Sequence, residues 1–106
     1  MRLCKNINEN RISWAAQAEL DEAFNWYEAQ QQHLGMQFLT EFDASIRRIF
    51  AYPKSYALFE NEIRRCLIKR FPYGILYGID AETIIIIAVA HLHRKPNYWL
   101  ARLGSL

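Results

Sequence analysis

Cysteine is scarce: Cys4 and Cys66 are the only two. Thiols this few and this far apart make no disulfide framework and have no metal-ligand spacing. A reducing cytosol fits them best. Long apolar runs are missing as well. The longest, Ile84 to Ala90, is far too short to span a bilayer, and the N-terminus has no apolar stretch of the signal-peptide kind. A cytoplasmic location with no membrane partner is therefore the expectation. Repeats, low-complexity tracts and linkers are absent too, so residues 1–106 are expected to form a single domain. There is also little net charge, a formal +2.

What the chain does have is apolar content. Hydrophobic residues make up 52% of it, a globular rather than a disordered composition. Three Trp, six Tyr and six Phe are rich for this length, and the excess over core needs suits an interface. The small net charge hides a polarity. Residues 1–43 hold three Lys/Arg against seven Asp/Glu, a balance of −4, and residues 44–106 hold ten against four, a balance of +6. Such a split describes either ordinary solvated faces or a basic C-terminal surface for an acidic partner or nucleic acid.

Residues 1–10, MRLCKNINEN, are polar and read as a loosely ordered lead-in. Arg11-Ile12-Ser13-Trp14 has the content of a short strand, with Ser13 also placed to cap the helix that follows. From Ala15 to about Gln32, Ala16, Leu20, Ala23, Phe24 and Tyr27 fall on one helical face. Glu19, Asp21 and Glu22 are then expected on the acidic outer side, where the N-terminal dipole favours them. Gly35 reads as the break. A second helix is expected over Met36–Ala51, with Phe38, Leu39, Phe42, Ile46, Ile49 and Phe50 as its stripe. Asp43 and Arg47 are spaced to pair along it. Tyr52-Pro53 ends it, because a residue before proline avoids the α region.

Residues 53–61 read as an irregular connection. Three antiparallel strands follow: Ile63–Phe71, Ile75–Ile79 and Thr83–Ala90, separated by the turn Pro72-Tyr73-Gly74 and the loop Asp80-Ala81-Glu82. The isoleucine run marks the last as the most buried and most central strand. His91 to Trp99 leaves the sheet as a basic, aromatic tail, and Leu100–Leu106 adds a helical turn. The expected fold is α+β, order β-α-α-β-β-β, with a helical hairpin packed on one face of a small antiparallel sheet. The other face is left free for a partner.

Several pieces of this order occur together: Ala18-Glu19-Leu20, Trp26-Tyr27-Glu28, Leu34-Gly35 before Phe38-Leu39, and Ile49 with Pro53. Further on come Ile63-Arg64-Arg65, Arg70-Phe71-Pro72-Tyr73, Ile75-Leu76-Tyr77, Ala88-Val89-Ala90-His91, and Arg94 with Pro96, Tyr98 and Trp99. In this set, from about Ile12 to Arg102, the chain resembles the RelE/ParE superfamily of bacterial toxins, often labelled plasmid stabilisation proteins. The lead-in is longer than the usual start. The resemblance implies a toxin of a type II toxin–antitoxin module, held inactive in an oligomeric complex by a cognate antitoxin whose flexible segment wraps it.

The superfamily has two main activities. RelE-like members enter the ribosome and cleave mRNA; ParE-like members bind and poison DNA gyrase without cleaving anything themselves. Metal-free RNA cleavage needs a base for the 2′-OH, an acid for the leaving oxygen and cations around the phosphorane. On this sequence those roles would fall to His91, Arg94 and Tyr98. RelE-like nucleases commonly carry arginine after the turn tyrosine, where this chain has Gly74. The basic residue at the end of the last strand falls near Leu92. Both departures, with the low net charge, favour the gyrase inhibitor; the mRNA interferase is the alternative and a non-toxic antitoxin-binding relic the third. Arg64, Arg65, Lys69, Arg70, Tyr73, Tyr77, His93, Lys95 and Trp99 are the candidates for binding antitoxin or target. The plainer roles are edge-strand charges for the cations and core packing for Tyr98 and Trp99. His91 and His93 share a strand face, but no third ligand accompanies them. No metal or other cofactor is expected.

Overall fold

The computed structural model describes residues 10–95 and 97–105. Most of the polar lead-in, with Cys4, lies outside the described residues, as do Pro96 and Leu106. The elements run β1 (Arg11–Ile12), α1 (Trp14–Gln30), α2 (Leu34–Ala51), β2 (Leu58–Glu60), β3 (Ile63–Leu67), β4 (Tyr73–Asp80) and β5 (Thr83–His91), then a terminal 3₁₀ helix over Leu100–Ser105. Two helices pack on a five-stranded sheet of order β1-β5-β4-β3-β2, so the fold is α+β as the sequence implies.

Ser13 caps α1: its hydroxyl accepts the Ala16 N–H at 3.1 Å. The buried stripe of α1 is Ala16, Leu20, Ala23 and Tyr27. The hinge to α2 differs from the expectation. His33 takes a left-handed backbone, φ 73°, and α2 begins at Leu34, so Gly35 sits inside its first turn instead of breaking the chain. The reason is close packing. A Cβ on Gly35 would lie 2.7 Å from the Phe24 carbonyl oxygen. The Glu28 carboxylate reaches across from α1 and accepts the His33 N–H at 2.8 Å and the Gly35 N–H at 2.9 Å. It thereby satisfies donors that the start of a helix leaves unpaired. Those bonds hold the Glu28 carboxyl below its ordinary pKa, the His33 amide foremost.

The sheet differs from the expectation in four ways. The strand β3 ends at Leu67 rather than Phe71, and Tyr73 and Gly74, expected in the turn, open β4. Residues 58–60, expected to be irregular, form the exposed edge strand β2, antiparallel to β3. The strand β1 pairs with β5 in parallel, Arg11 opposite Ile85 and Ile12 opposite Ile86, so the sheet is mixed. The middle strand is β4, not β5. The isoleucine run of β5 records burial on both faces. Ile84, Ile86 and Val89 join the core beneath the helices, with Phe38, Ile49, Cys66, Ile75 and Tyr77. Ile87 and Ala88 join a second core on the opposite face, with Ile63, Leu76 and Trp99. A bulge makes this possible. Leu76 pairs with Ala88 and Tyr77 with Ile86, leaving Ile87 as the extra residue that shifts the facing of the strand.

That second core corrects another expectation. Much of the face thought free for a partner is covered by the chain's own C-terminal segment. Tyr98, Leu100 and Leu103 pack there around Trp99, which is 1% exposed. What stays open on this face is its lower end, beside β2 and the ends of β3 and β5.

Gly35→Ala is expected to destabilise the fold by about 1–3 kcal/mol, because backbone as well as side chain must shift to admit the methyl group. Gly104→Ala, where a Cβ would meet nothing within 4 Å, is expected to change stability by less than about 0.5 kcal/mol. Urea unfolding of the two variants checks both.

Candidate functional site

The site grows from the shortness of β1. Its pairing reaches only Ile86 of β5, and Ser13 extends it by one bond, its N–H donating to the Ile86 carbonyl. Beyond that point, among the described residues, the outer edge of β5 has no strand beside it. Buried backbone polar groups there still need partners. Side chains supply them. The Ser13 hydroxyl donates to the Ile87 carbonyl at 3.3 Å, and Arg102 donates to the same oxygen at 3.0 Å. The Glu19 carboxylate accepts the Val89 N–H at 2.9 Å.

Glu19 is the centre of this cluster. Its side chain is only 10% exposed. Arg102 grips both carboxylate oxygens, each at 3.0 Å, and the Tyr98 hydroxyl donates to one of them. Arg94 stands 3.8 Å from the same oxygen and lies over the Tyr98 ring, 4.1 Å from its centroid. This two-pronged contact is the strong geometry for a guanidinium and a carboxylate. Burial, followed by the adjacent carboxylate, pushes the Tyr98 hydroxyl well above its ordinary pKa. The bond to Glu19 likewise raises Arg102. Glu19 is thus not on the solvated acidic side where the sequence reading put it. The signal was present: residues 16, 19, 20, 23 and 27 lie along one helical stripe.

The candidates named from the sequence separate into groups. His91, Arg94, Tyr98 and Trp99 gather near the end of β5, with Lys95 exposed beside them. The His91 ring packs edge-on to Tyr73 at 5.1 Å, its Nδ1 accepts the His93 N–H at 3.0 Å, and the two imidazoles lie 5.2 Å apart. Among the described residues no cluster of three or more His, Cys, Asp or Glu is placed to hold a metal. Arg65 extends over Phe59, 4.5 Å from the ring centroid. Its neighbour Arg64 points to the other face and donates to the Tyr56 and Lys54 carbonyls at 2.6 and 3.3 Å, tying down the α2–β2 connection. Arg70 turns toward α2, 3.5 Å from Glu41, and Lys69 is exposed in the turn beside it. Tyr73 is half-buried in the helix-side core.

Tyr77 and Trp99 do not present a surface. Tyr77 is fully buried, its hydroxyl donating to the Pro53 carbonyl at 2.6 Å, and burial pushes its pKa up to about 12. Trp99 is the plug of the second core. In both cases the aromatic side chain that reads as surplus is spent on packing.

Two open grooves flank the cluster. One, of about 570 Å³, runs between α1 and the end of β5, with Trp26, Tyr27, Pro72, Tyr73 and His91 along it. Trp26 is 58% exposed there. The other, of about 220 Å³, lies on the face opposite the helices, around Gly74 and Ala90. His91 and Arg94 line both.

Residues 11–96 match the family model described as the ParE toxin of the type II toxin–antitoxin system parDE. Among solved structures, one from P. aeruginosa titled as a chromosomal ParDE TA system is similar in fold. Its TM-score is 0.69 at 14% identity, over 77% of this chain and 92% of that one. No curated protein sequence matches the chain.

The raised Tyr98 hydroxyl has a consequence at alkaline pH. Unfolded, the phenol ionises near its ordinary value of 10; folded, it stays protonated above that. Its contribution to stability is whole below the unfolded value and is lost as pH rises toward the folded one. Urea unfolding from about pH 8 to about pH 11 is expected to show stability falling, and Tyr98→Phe to flatten part of that fall. Tyr77, Tyr73 and Tyr27, raised by burial as well, share the remainder.

Proposed function

The chain belongs to the ParE toxin family, and from that membership we propose that it is the toxin of a type II toxin–antitoxin module, restrained by a cognate antitoxin, and that it acts by binding DNA gyrase. The observation that carries the choice of a binding mechanism over RNA cleavage is the engagement of Tyr98 with Glu19. A general acid must hand a proton to the leaving oxygen. The Tyr98 hydroxyl is partly buried, donates to a carboxylate and has a raised pKa, so it is poorly suited to that step. Two of the cations nearby are also engaged. Arg102 is bound to Glu19, and Arg94 is drawn toward the same carboxylate, so a phosphorane there would meet a negative charge within the cluster. Gly74 stands where the ribonucleases of the superfamily commonly place arginine.

The larger groove suits the antitoxin. A flexible segment must bury apolar area to offset the entropy of its own ordering. The half-open aromatic wall of Trp26, Tyr27 and Tyr73 offers that area. Glu22 and Arg94 at its margins would set the register of a segment carrying charges of both signs.

The purified toxin is expected to block supercoiling by DNA gyrase at micromolar concentration, and messages translated during its induction to stay uncut by primer extension. Undisturbed supercoiling together with codon-phased cuts that disappear in His91→Ala would replace this reading with the mRNA interferase.

A further inference from the structure

The smaller groove has features that neither the fold nor the Glu19 cluster requires. Leu67, Gly74 and Ala90 lie side by side across β3, β4 and β5, as register partners. Gly74 and Ala90 make a low floor beside the buried Leu76. Phe59, Leu67 and Leu92 stand at 41%, 52% and 46% exposure around it. Contiguous apolar side chains left open in this way mark an interaction site more often than a bare surface.

The charge around this floor has one sign. Arg65, Arg94 and Lys95 line the groove and no carboxylate does. Arg94 is directed to Glu19, but no carboxylate among the described residues pairs with Arg65 or Lys95. The stem of Arg65 lies flat along Gly74, where a Cβ would come within 3.3 Å of its Cγ and Cδ. Glycine at this position therefore keeps the floor low and holds a guanidinium at its edge over Phe59. A larger residue would fill the space.

We infer that this groove is the docking site for an acidic segment of the toxin's protein target. One large apolar side chain of that segment seats on the Gly74–Ala90 floor, and neighbouring carboxylates meet Arg65 and Lys95. This rests on the reading of the chain as a toxin that acts by binding a protein. The occupant is a protein segment rather than a nucleic acid because the floor is aliphatic and narrow. A nucleic acid would need a longer track of cations and open rings to stack on, and here Trp99 is buried and Tyr98 is held by Glu19. It is the target rather than the antitoxin because the larger aromatic groove better suits a segment that orders on binding.

Gly74→Leu fills the groove from its floor without adding charge. The neighbours that must yield are side chains, the stem of Arg65 first and not backbone, so the fold is expected to hold. Arg65→Glu with Lys95→Glu reverses the charge at two exposed positions without touching the Glu19 cluster. Each variant is induced in cells and scored for growth arrest, and each is titrated in pure form with the cognate antitoxin. Both are expected to keep the antitoxin Kd within about twofold and to need at least about tenfold more toxin for the same arrest. Variants as toxic as the original chain overturn the assignment. So does an antitoxin affinity that falls in step with toxicity, which gives the groove to the antitoxin. An original chain that arrests growth yet leaves gyrase supercoiling untouched removes gyrase alone, since arrest still reports on the groove. An original chain that arrests nothing overturns both.

Discussion

One carboxylate, that of Glu19, holds the two ends of this fold together. The strand β1 is two residues long and, among the described residues, leaves most of the outer edge of β5 without a neighbouring strand. An unprotected edge invites pairing with another chain. Here the edge is closed by side chains: Ser13 and Arg102 on the Ile87 carbonyl, Glu19 on the Val89 amide. A buried carboxylate loses hydration that only good partners restore. Arg102 and Tyr98 are those partners, and both come from the C-terminal segment. Closing the sheet edge and anchoring the last residues of the chain are therefore one event.

The same event shapes both surfaces on offer. Anchoring Tyr98 and Arg102 lays Trp99 onto the sheet and covers the upper part of the face opposite the helices. The lower part stays open, with Gly74 and Ala90 as its floor. On the other side, Glu19 lies at one end of the aromatic groove that Trp26 borders. Arg94, drawn to Glu19, stands between the two grooves, and His91 lines both.

The sequence showed elements whose reasons are local. The stripes of α1 and α2 follow the helical period, Ser13 sits at a cap, and Pro53 stands just past the end of α2. The three long strands declare themselves by β-branched runs between turn residues. What it did not show depends on contacts between distant residues. Gly35 looks like a break until the Phe24 carbonyl and the Glu28 carboxylate are seen beside it. The strand β2 has three exposed residues and no alternation of burial to betray it. The parallel pairing of β1 joins residues more than seventy positions apart. Tyr77 read as a surface aromatic because nothing local reveals the Pro53 carbonyl, and Trp99 stays open between binding and core packing until the second core decides for packing. Glu19 read as a solvated charge because acidic residues are common early in helices. Its place on the buried stripe becomes meaningful only once Arg102 is opposite it.

The central claim is that Glu19, acting through Arg102, fixes the C-terminal segment, with the packing of Trp99 following from it. A double-mutant cycle between Glu19→Gln and Arg102→Gln, read by urea unfolding, tests this most directly. The account expects the double variant to be more stable than the sum of the single losses implies, with a coupling above about 1 kcal/mol. Losses that add to within about 0.5 kcal/mol would contradict it and leave the segment held by apolar packing alone.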